Sequence, residues 1–182
     1  MIKKILLGAI VVIVLLVVIF CVVVAIQPSH YHIERSATMN APAPVIFNQV
    51  NDFHRWDAWS PWARLDPNIK QNYEGASAGV GAMYSWTGND QVGEGRMTIT
   101  DSKPSELVKI KLEFIKPWSA TNATDFTFTP QGNQTSVKWT MDGDNTFMGK
   151  AFSLFMNMDK LVGGDFEKGL TKLQAVAEAA AR

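Results

Sequence analysis

The chain has 182 residues, 47% of them hydrophobic, and its 17 basic residues balance its 17 acidic ones. This length leaves room for one membrane or targeting segment and one domain. The sequence contains no Lys/Arg run and no basic stripe, which argues against nucleic acid as a partner and against tight electrostatic docking on anionic lipid.

The first predicted element is a membrane-spanning helix. Residues 5–26 form an uncharged apolar block, and at roughly 1.5 Å per residue its length of about 33 Å exceeds a bilayer core of roughly 30 Å. We therefore divide the chain into an N-terminal transmembrane anchor, residues 1–27, and a domain, residues 28–182. The alternative is a cleaved signal peptide, but the block is longer than the roughly 7–15 residues of a typical signal core.

The charges around this block predict its orientation. Lys3 and Lys4 precede it, and the next fixed positive charge is Arg35. The positive-inside rule then puts the N-terminus in the cytoplasm and the domain on the periplasmic or extracellular side of the cell (inner) membrane, with a single pass. Cys21, the only cysteine, lies within the block, so an intrachain disulfide is not possible and membrane packing is its expected role.

The domain begins with a predicted strand over residues 30–39, followed by a helix over residues 40–52. Residues 53–62 form a second short helix or a structured loop, which ends near Ser60 because Pro61 disfavours helix before it. This segment holds Trp56, Trp59 and Trp62. They form either a lip at a cavity mouth that meets ligand or lipid, or an aromatic plug that packs one end of the fold.

Six antiparallel strands are predicted from there to about Met141. The clearest covers residues 106–115, where the apolar residues Val108, Ile110, Leu112 and Phe114 alternate with charged ones. Such alternation is typical of strands that bury only one face.

The remaining residues, 148–181, are predicted to form one long amphipathic helix. Apolar residues recur every three to four positions, and the stripe contains Met148, Phe152, Phe155, Val162, Phe166, Leu170 and Leu173. Gly163 and Gly164 interrupt it and mark a kink or a close backbone approach.

This order of elements predicts an α+β helix-grip fold, in which a curved antiparallel sheet surrounds the long C-terminal helix and one transmembrane helix precedes the domain. A cavity between the sheet and the helix is the expected functional space.

Several segments then resemble a known family. They are "NDFHRWDAWSPW" (51–62), "GVGAMYSWTGND" (79–90), "VGEGRMTI" (92–99), "FIKPW" (114–118), "VKWTMDG" (137–143) and "MDKLVGGDFEKGL" (158–170). In this order they resemble the membrane-anchored, polyketide-cyclase-like branch of the SRPBCC (START-like) superfamily. The resemblance implies the helix-grip fold over residues 30–175, but relatives that share the fold include lipid carriers, cyclases and ligand sensors, so it does not transfer a reaction.

Three functional hypotheses follow. The first is a membrane-anchored domain that binds a hydrophobic or amphipathic small molecule, lipid-like or aromatic, without altering it. The second is a cyclase-like or dehydratase-like enzyme, and the third is a ligand-free envelope scaffold or interaction domain. The residues expected to line the cavity are Trp59, Trp62, Tyr84, Trp86, Glu94, Met97, Phe114, Phe126, Trp139, Phe155, Met156 and Asp159.

The enzyme hypothesis depends on Glu94. Glu94 and Arg96 share one strand face, and Tyr84 and Trp86 share a face of the neighbouring strand. In an apolar cavity Glu94 would gain a raised pKa suited to acid–base catalysis, with Tyr84 or Arg96 stabilising developing charge. The alternative is a solvated ion pair near a turn.

Asp159 falls beside the helical stripe, either against a ligand head group, Arg96 or a tyrosine, or at the solvated edge. The three histidines and single cysteine do not form a zinc or thiol-nucleophile pattern, so neither a metal nor a cofactor is expected. The sequence leaves the ligand and the oligomeric state open.

Overall fold

A computed structural model of the chain describes residues 2–182, so residue 1 of the predicted anchor lies outside the described residues. An N-terminal helix precedes a domain made of seven strands, three α-helices and one short 3-10 helix. In chain order the elements are α1 (Ile2–Ala25), β1 (His30–Met39), α2 (Ala43–Val50), the 3-10 helix (Phe53–Ala58), β2 (Lys70–Gly75), β3 (Ala82–Thr87), β4 (Glu94–Lys103), β5 (Leu107–Lys116), β6 (Ala120–Gln131), β7 (Gln134–Asp144), α3 (Phe147–Ser153) and α4 (Met158–Ala180).

The seven strands form one antiparallel sheet in the order β1-β7-β6-β5-β4-β3-β2. The edge strand β1 pairs with β7. Within this pairing Ile33 lies opposite Met141, and Ala37 lies opposite Val137. The long helix α4 packs on β1 and also contacts α2. The predicted α+β helix-grip fold is therefore confirmed.

The strand register arranges the inward-facing side chains in rows that cross the sheet. We call the sheet end at His30, Glu94 and Lys116 the lower end. The lowest complete row contains Gln71, Trp86, Gly95, Phe114 and Ala120. The second row contains Tyr73, Tyr84, Met97, Leu112, Asn122, Gly143 and Tyr31.

The side chains of the third row are buried, whereas those of the two lower rows are only partly covered. The third row, which contains Ile33, Met141, Thr124, Ile110 and Ile99, is buried throughout. In the two lower rows most of the large side chains remain half-buried, among them Tyr31, Tyr84, Trp86 and Phe114. The core therefore fills the upper part of the grip and leaves its lower part partly uncovered.

Helix α4 closes the upper part through its apolar stripe. Phe166, Leu170 and Leu173 are all buried, and the ring of Phe166 stacks on Trp139 at a centroid distance of 3.9 Å. Burying each such side chain stabilises the fold by about 1.5–3 kcal/mol. This half of the predicted stripe faces the sheet as expected.

The first half of the predicted helix is different. Instead of one continuous helix the structure has α3 and α4, separated by residues 154–157. The side chain of Asn157 accepts a hydrogen bond from the backbone N–H of Lys160 at 2.9 Å, so it caps a new helix at this point. As a consequence, Met148, Phe152 and Phe155 are exposed rather than packed on the sheet.

The N-terminal helix α1 lies outside the core. Its 24 residues are apolar apart from Lys3 and Lys4, and it is the one helix among the described residues long and apolar enough to cross a membrane by length and composition. From Ile5 onward its large side chains are exposed except Val24, which is buried near the contact between α1 and α3.

Candidate functional site

The tryptophan-rich segment forms part of the core. Trp56 and Trp59 are both buried. The indole N–H of Trp56 donates to the carbonyl of Val50 at 2.9 Å, and that of Trp59 donates to the carbonyl of Gln49 at 3.1 Å. These carbonyls lie at the C-terminal end of α2, where the last C=O groups of a helix have no N–H donor within the helix. The two indole N–H groups therefore supply the missing hydrogen bonds, while the rings fill the core.

Three residues that were expected to line a cavity instead pack against one another in the core. Trp59 contacts Trp139 at a centroid distance of 5.8 Å, and Phe126 stacks on Trp139 at 4.7 Å. Trp62 is half-buried beside them, 5.9 Å from Trp139. The structure therefore places Trp59, Phe126 and Trp139 in a packed aromatic cluster between the sheet and α4, which we call the plug together with Phe166.

Below the plug, the inward face carries an aromatic strip that is only half-buried. Tyr73 lies 5.2 Å from Tyr84, Tyr84 lies 5.7 Å from Trp86, and Trp86 lies 6.2 Å from Phe114, measured between ring centroids. Met97 lies between them in the register and is buried. We call the inward face of the two lower rows the open face. It brings together Tyr84, Trp86, Met97 and Phe114 of the expected cavity residues.

The position of Trp86 depends on a glycine. A Cβ on Gly95 would collide with the Trp86 ring, so only glycine lets the indole lie flat across β4. The Trp86 N–H also donates to the carbonyl of Val92 at 2.9 Å. Its ring therefore forms a fixed apolar wall whose polar atom is already satisfied.

A polar pair completes the open face on the β1 side. The hydroxyl of Tyr31 donates to the side-chain oxygen of Asn122 at 2.7 Å. Both groups lie over Gly143, where a Cβ would collide with the Asn122 oxygen and the Tyr31 hydroxyl. The sequence analysis did not identify this pair, because the contact joins strands that are 91 residues apart in the chain.

The tyrosines of the open face are neutral groups near pH 7. Burial raises the pKa of Tyr84 to about 12, and burial also raises the pKa of Tyr31 above its ordinary value of 10.0. Because a phenol with a raised pKa keeps its proton, both hydroxyls are poor bases. The Tyr84 hydroxyl can donate a hydrogen bond to a ligand, whereas the Tyr31 proton is already donated to Asn122 and leaves the Tyr31 oxygen as an acceptor.

Glu94 and Arg96 lie on the other side of the sheet. They share a strand face, as the sequence analysis predicted, but it is the outer face, opposite Tyr84. The Glu94 carboxylate pairs with Lys116 at 2.8 Å, and Arg96 pairs with Glu113 at 2.8 Å. The strand alternation that turns Met97 inward turns both neighbours of Gly95 outward. This placement takes Glu94 out of the open face and matches the ion-pair alternative.

Asp159 contacts neither Arg96 nor a tyrosine hydroxyl, but instead forms an ion pair with Arg35. The Arg35 guanidinium lies 3.0 Å from Asp159 and 2.7 Å from Glu167. These hydrogen bonds raise the pKa of Arg35, and the contact with Arg35 lowers the pKa of Asp159. Arg35 lies against Gly163, where a Cβ would meet the guanidinium, so the predicted close approach occurs at this glycine.

Phe155 and Met156 are outside the open face. Both lie in the segment between α3 and α4, and Phe155 is 78% exposed. The prediction that they line the cavity assumed one straight helix over the sheet. The helix is instead interrupted before Asn157, which caps α4, so these two residues do not face the sheet.

The surface also contains two grooves. One of about 400 Å³ lies on the outer face of the sheet and is lined by charged groups, including Lys109, Asp125 and Asp142. The other, of about 140 Å³, lies at the edge of β2 and β3 beside Phe53 and Tyr73. Among residues 2–182, no group of three or more His, Cys, Asp and Glu side chains has the arrangement of a metal site.

Several solved structures share this fold. A protein from Chromobacterium violaceum superposes with a TM-score of 0.59 at 13% identity, covering 81% of this chain and 96% of its own. The structure of Ara h 8.0201 gives 0.54 at 11% identity, with 84% of this chain and 97% of that chain covered. The di-domain ARO/CYC StfQ from the steffimycin biosynthetic pathway gives 0.61 at 11% identity, with 84% of this chain and 52% of that chain covered.

Family membership comes from the sequence rather than from these distant structures. No curated protein matches the sequence significantly. Residues 30–178 match the family described as "Polyketide cyclase / dehydrase and lipid transport". This match covers most of the chain, with the whole of the sheet and all but the last two residues of α4. The chain therefore belongs to the polyketide cyclase/dehydrase and lipid transport family of the SRPBCC superfamily.

Proposed function

We propose that this protein binds a hydrophobic or amphipathic small molecule on the open face and releases it unchanged. The observation that carries the proposal is an aromatic strip left half-buried inside the grip, next to a single polar pair. Apolar walls with a few placed hydrogen-bonding groups are typical of small-molecule sites. Here Tyr84, Trp86 and Phe114 would contact the apolar part, and Tyr31 with Asn122 would meet a polar head group.

Binding is favoured over catalysis by the residues that face inward. The two lower rows consist of aromatic, aliphatic, amide and glycine residues, and none of their side chains carries a charge. Glu94, the acid or base of the enzyme hypothesis, pairs with Lys116 on the outer face. A reaction at the open face would have to proceed without it.

We further propose that residues 1–27 anchor the domain, with the N-terminus in the cytoplasm and the domain on the periplasmic or extracellular side. Support comes from α1, whose 24 residues would extend about 36 Å at 1.5 Å per residue. From Ile5 to Val23 its large apolar side chains are exposed, which is costly in water but favourable in lipid.

A fluorescent apolar probe, N-phenyl-1-naphthylamine, tests the binding proposal on residues 28–182. This part contains the whole hydrophobic core cluster, which extends from Ile33 to Ala177. We expect probe binding in the unmodified domain and about tenfold weaker binding in Phe114→Ala, because a lost aromatic contact of about 1.4 kcal/mol corresponds to a factor of ten.

Val80→Ala is the matched control, because Val80 is an exposed apolar residue in the turn between β2 and β3. It should leave probe binding unchanged. If the unmodified domain takes up no probe, or if Phe114→Ala binds it as tightly, the proposal fails. Native mass spectrometry of the domain recovered from its host would then identify the chemical class of any molecule that copurifies.

A further inference from the structure

An exposed apolar patch lies at the lower end of the grip. Its six residues come from the turn between β5 and β6, from α3 and from the segment after α3. They are Trp118, Phe147, Met148, Phe152, Phe155 and Met156, which we call the α3 patch. Trp118 is 66% exposed and lies 6.2 Å from Phe152 between ring centroids. Single exposed apolar residues are ordinary, whereas a contiguous group of large ones marks an interaction site.

The patch is fixed next to the end of α1. The backbone N–H of Asn145, just before α3, donates to the carbonyl of Ser29 at 2.8 Å. The ammonium group of Lys150 in α3 donates to the hydroxyl of Ser29 at 2.9 Å and lies 3.4 Å from the carbonyl of Ala25. Since α1 ends at Ala25, α3 lies at the level where the apolar helix stops.

The composition of this region is that of a membrane interface. Met148 and Phe152 are exposed on α3 and Phe155 is exposed just after it. Lys150 and Lys160 lie near these residues in the chain, and Lys116 lies two residues before Trp118. Aromatic and apolar side chains flanked by lysines are typical of segments that lie at the level of the lipid head groups.

We propose that the α3 patch rests in the head-group region of the same bilayer that α1 crosses, so that the open face has its mouth at the lipid surface. This inference rests on the proposed anchoring by residues 1–27. A bilayer is the occupant because the patch adjoins the end of the apolar helix, where any other partner would have to displace lipid. The contact depends on apolar surface, so it does not require anionic lipid.

The test is site-directed spin labelling of the full chain in vesicles of phosphatidylcholine. A nitroxide is attached to Cys21 in the unmodified sequence, and to single cysteines in the variants C21S/F155C and C21S/V80C. Phe155 and Val80 are both exposed apolar residues, so the pair is matched, but Val80 lies in a turn at the upper end of the sheet. Collision rates with oxygen, which enters lipid, and with a water-soluble nickel chelate are then compared.

We expect the ratio of oxygen to nickel collisions to be several-fold higher at position 155 than at position 80. Equal ratios at 155 and 80, with a high ratio at Cys21, would overturn the docking of the patch and leave the anchoring intact. A low ratio at Cys21 would instead refute the anchoring, and with it the docking. A label at 155 that neither reagent reaches would indicate a protein partner or a second copy, which also overturns the proposal.

Discussion

At the scale of single residues, Gly169 shows how closely the helix approaches the sheet. A Cβ at this position would lie 2.8 Å from the Trp139 ring and 3.1 Å from Pro61. The Trp139 ring cannot move away, because it stacks on Phe166 on one side and on Phe126 on the other. The absence of a side chain at Gly169 is thus a packing requirement of the plug.

Gly169→Ala should therefore destabilise the domain, whereas Gly164→Ala should stabilise it. Overpacking a core costs about 1–3 kcal/mol, which outweighs the gain of about 1 kcal/mol from replacing a helical glycine by alanine. At Gly164 a Cβ would meet nothing within 4 Å, so only the gain remains. Urea unfolding of both variants measures the difference, and a stabilised Gly169→Ala would show that Trp139 is free to shift.

At the scale of secondary-structure elements, the first half of α4 is held by a tether from β1. Arg35 projects from β1 and bonds both Asp159 and Glu167, while the second half of α4 is held by apolar burial. The first half of α4 therefore depends on these ion pairs in addition to the packing of Phe166 on Trp139.

Replacing Arg35 by Gln should loosen only the first half of α4. Hydrogen exchange of the backbone amides near Val162 should become faster, while amides near Leu173, which is buried, should keep their rates. Lys168→Gln is the control, because it removes an ion pair with Asp165 within the same helix and leaves the tether in place. Uniformly faster exchange along α4 would contradict this division.

The pairing of β1 with β7 at the lower end adds a dependence on pH. Hydrogen bonds to Asp144 and Asp142 raise the pKa of His30, and a hydrogen bond to Asp142 raises the pKa of His32. A raised folded-state pKa means that the stabilisation is present below the unfolded value of about 6.5 and is lost as the pH rises through the folded value. Because both imidazoles are exposed, we expect a small effect that salt screens.

The expected outcome is a difference in melting temperature between the unmodified domain and the double variant His30→Gln/His32→Gln that is larger at pH 6 than at pH 8. Added salt should reduce the difference at pH 6. A difference that is constant across this range would show that the histidines contribute through contacts other than charge.

At the scale of the whole molecule, sequence patterns predicted which segments form helices and strands better than they predicted what each element packs against. The alternation in β5 gave the inward positions of Val108, Ile110 and Phe114 correctly, because a strand repeats every two residues. The spacing of Met148 and Phe152 predicted helix correctly, but α3 ends at Ser153 before Phe155, and all three side chains are exposed rather than packed on the sheet. A helix face that packs on a sheet and one that faces outward have the same period of 3.6 residues.

The candidate site was predictable only in part, for the same reason. Tyr84, Trp86 and Phe114 could be assigned to the inward face from local alternation, but Glu94 could not, since a shift of one residue reverses every side chain on a strand. The Tyr31–Asn122 pair and the tether of Arg35 to Asp159 join residues 91 and 124 positions apart. Neither contact leaves a local signal in the sequence.

The plug has a consequence for the size of the molecule that the protein can hold. Only the two lower rows are open, and since successive rows are two residues apart at about 3.3 Å per residue, the accessible depth is roughly 13 Å. Above these rows, the rings of Trp139 and Phe166 block deeper entry of a ligand. Under the proposed function, a long-chain lipid would be held by one end while the rest of its chain stayed in the bilayer. Affinity for a series of alkyl-chain probes should accordingly rise with chain length and then level off once the chain is long enough to reach Trp139 and Phe166.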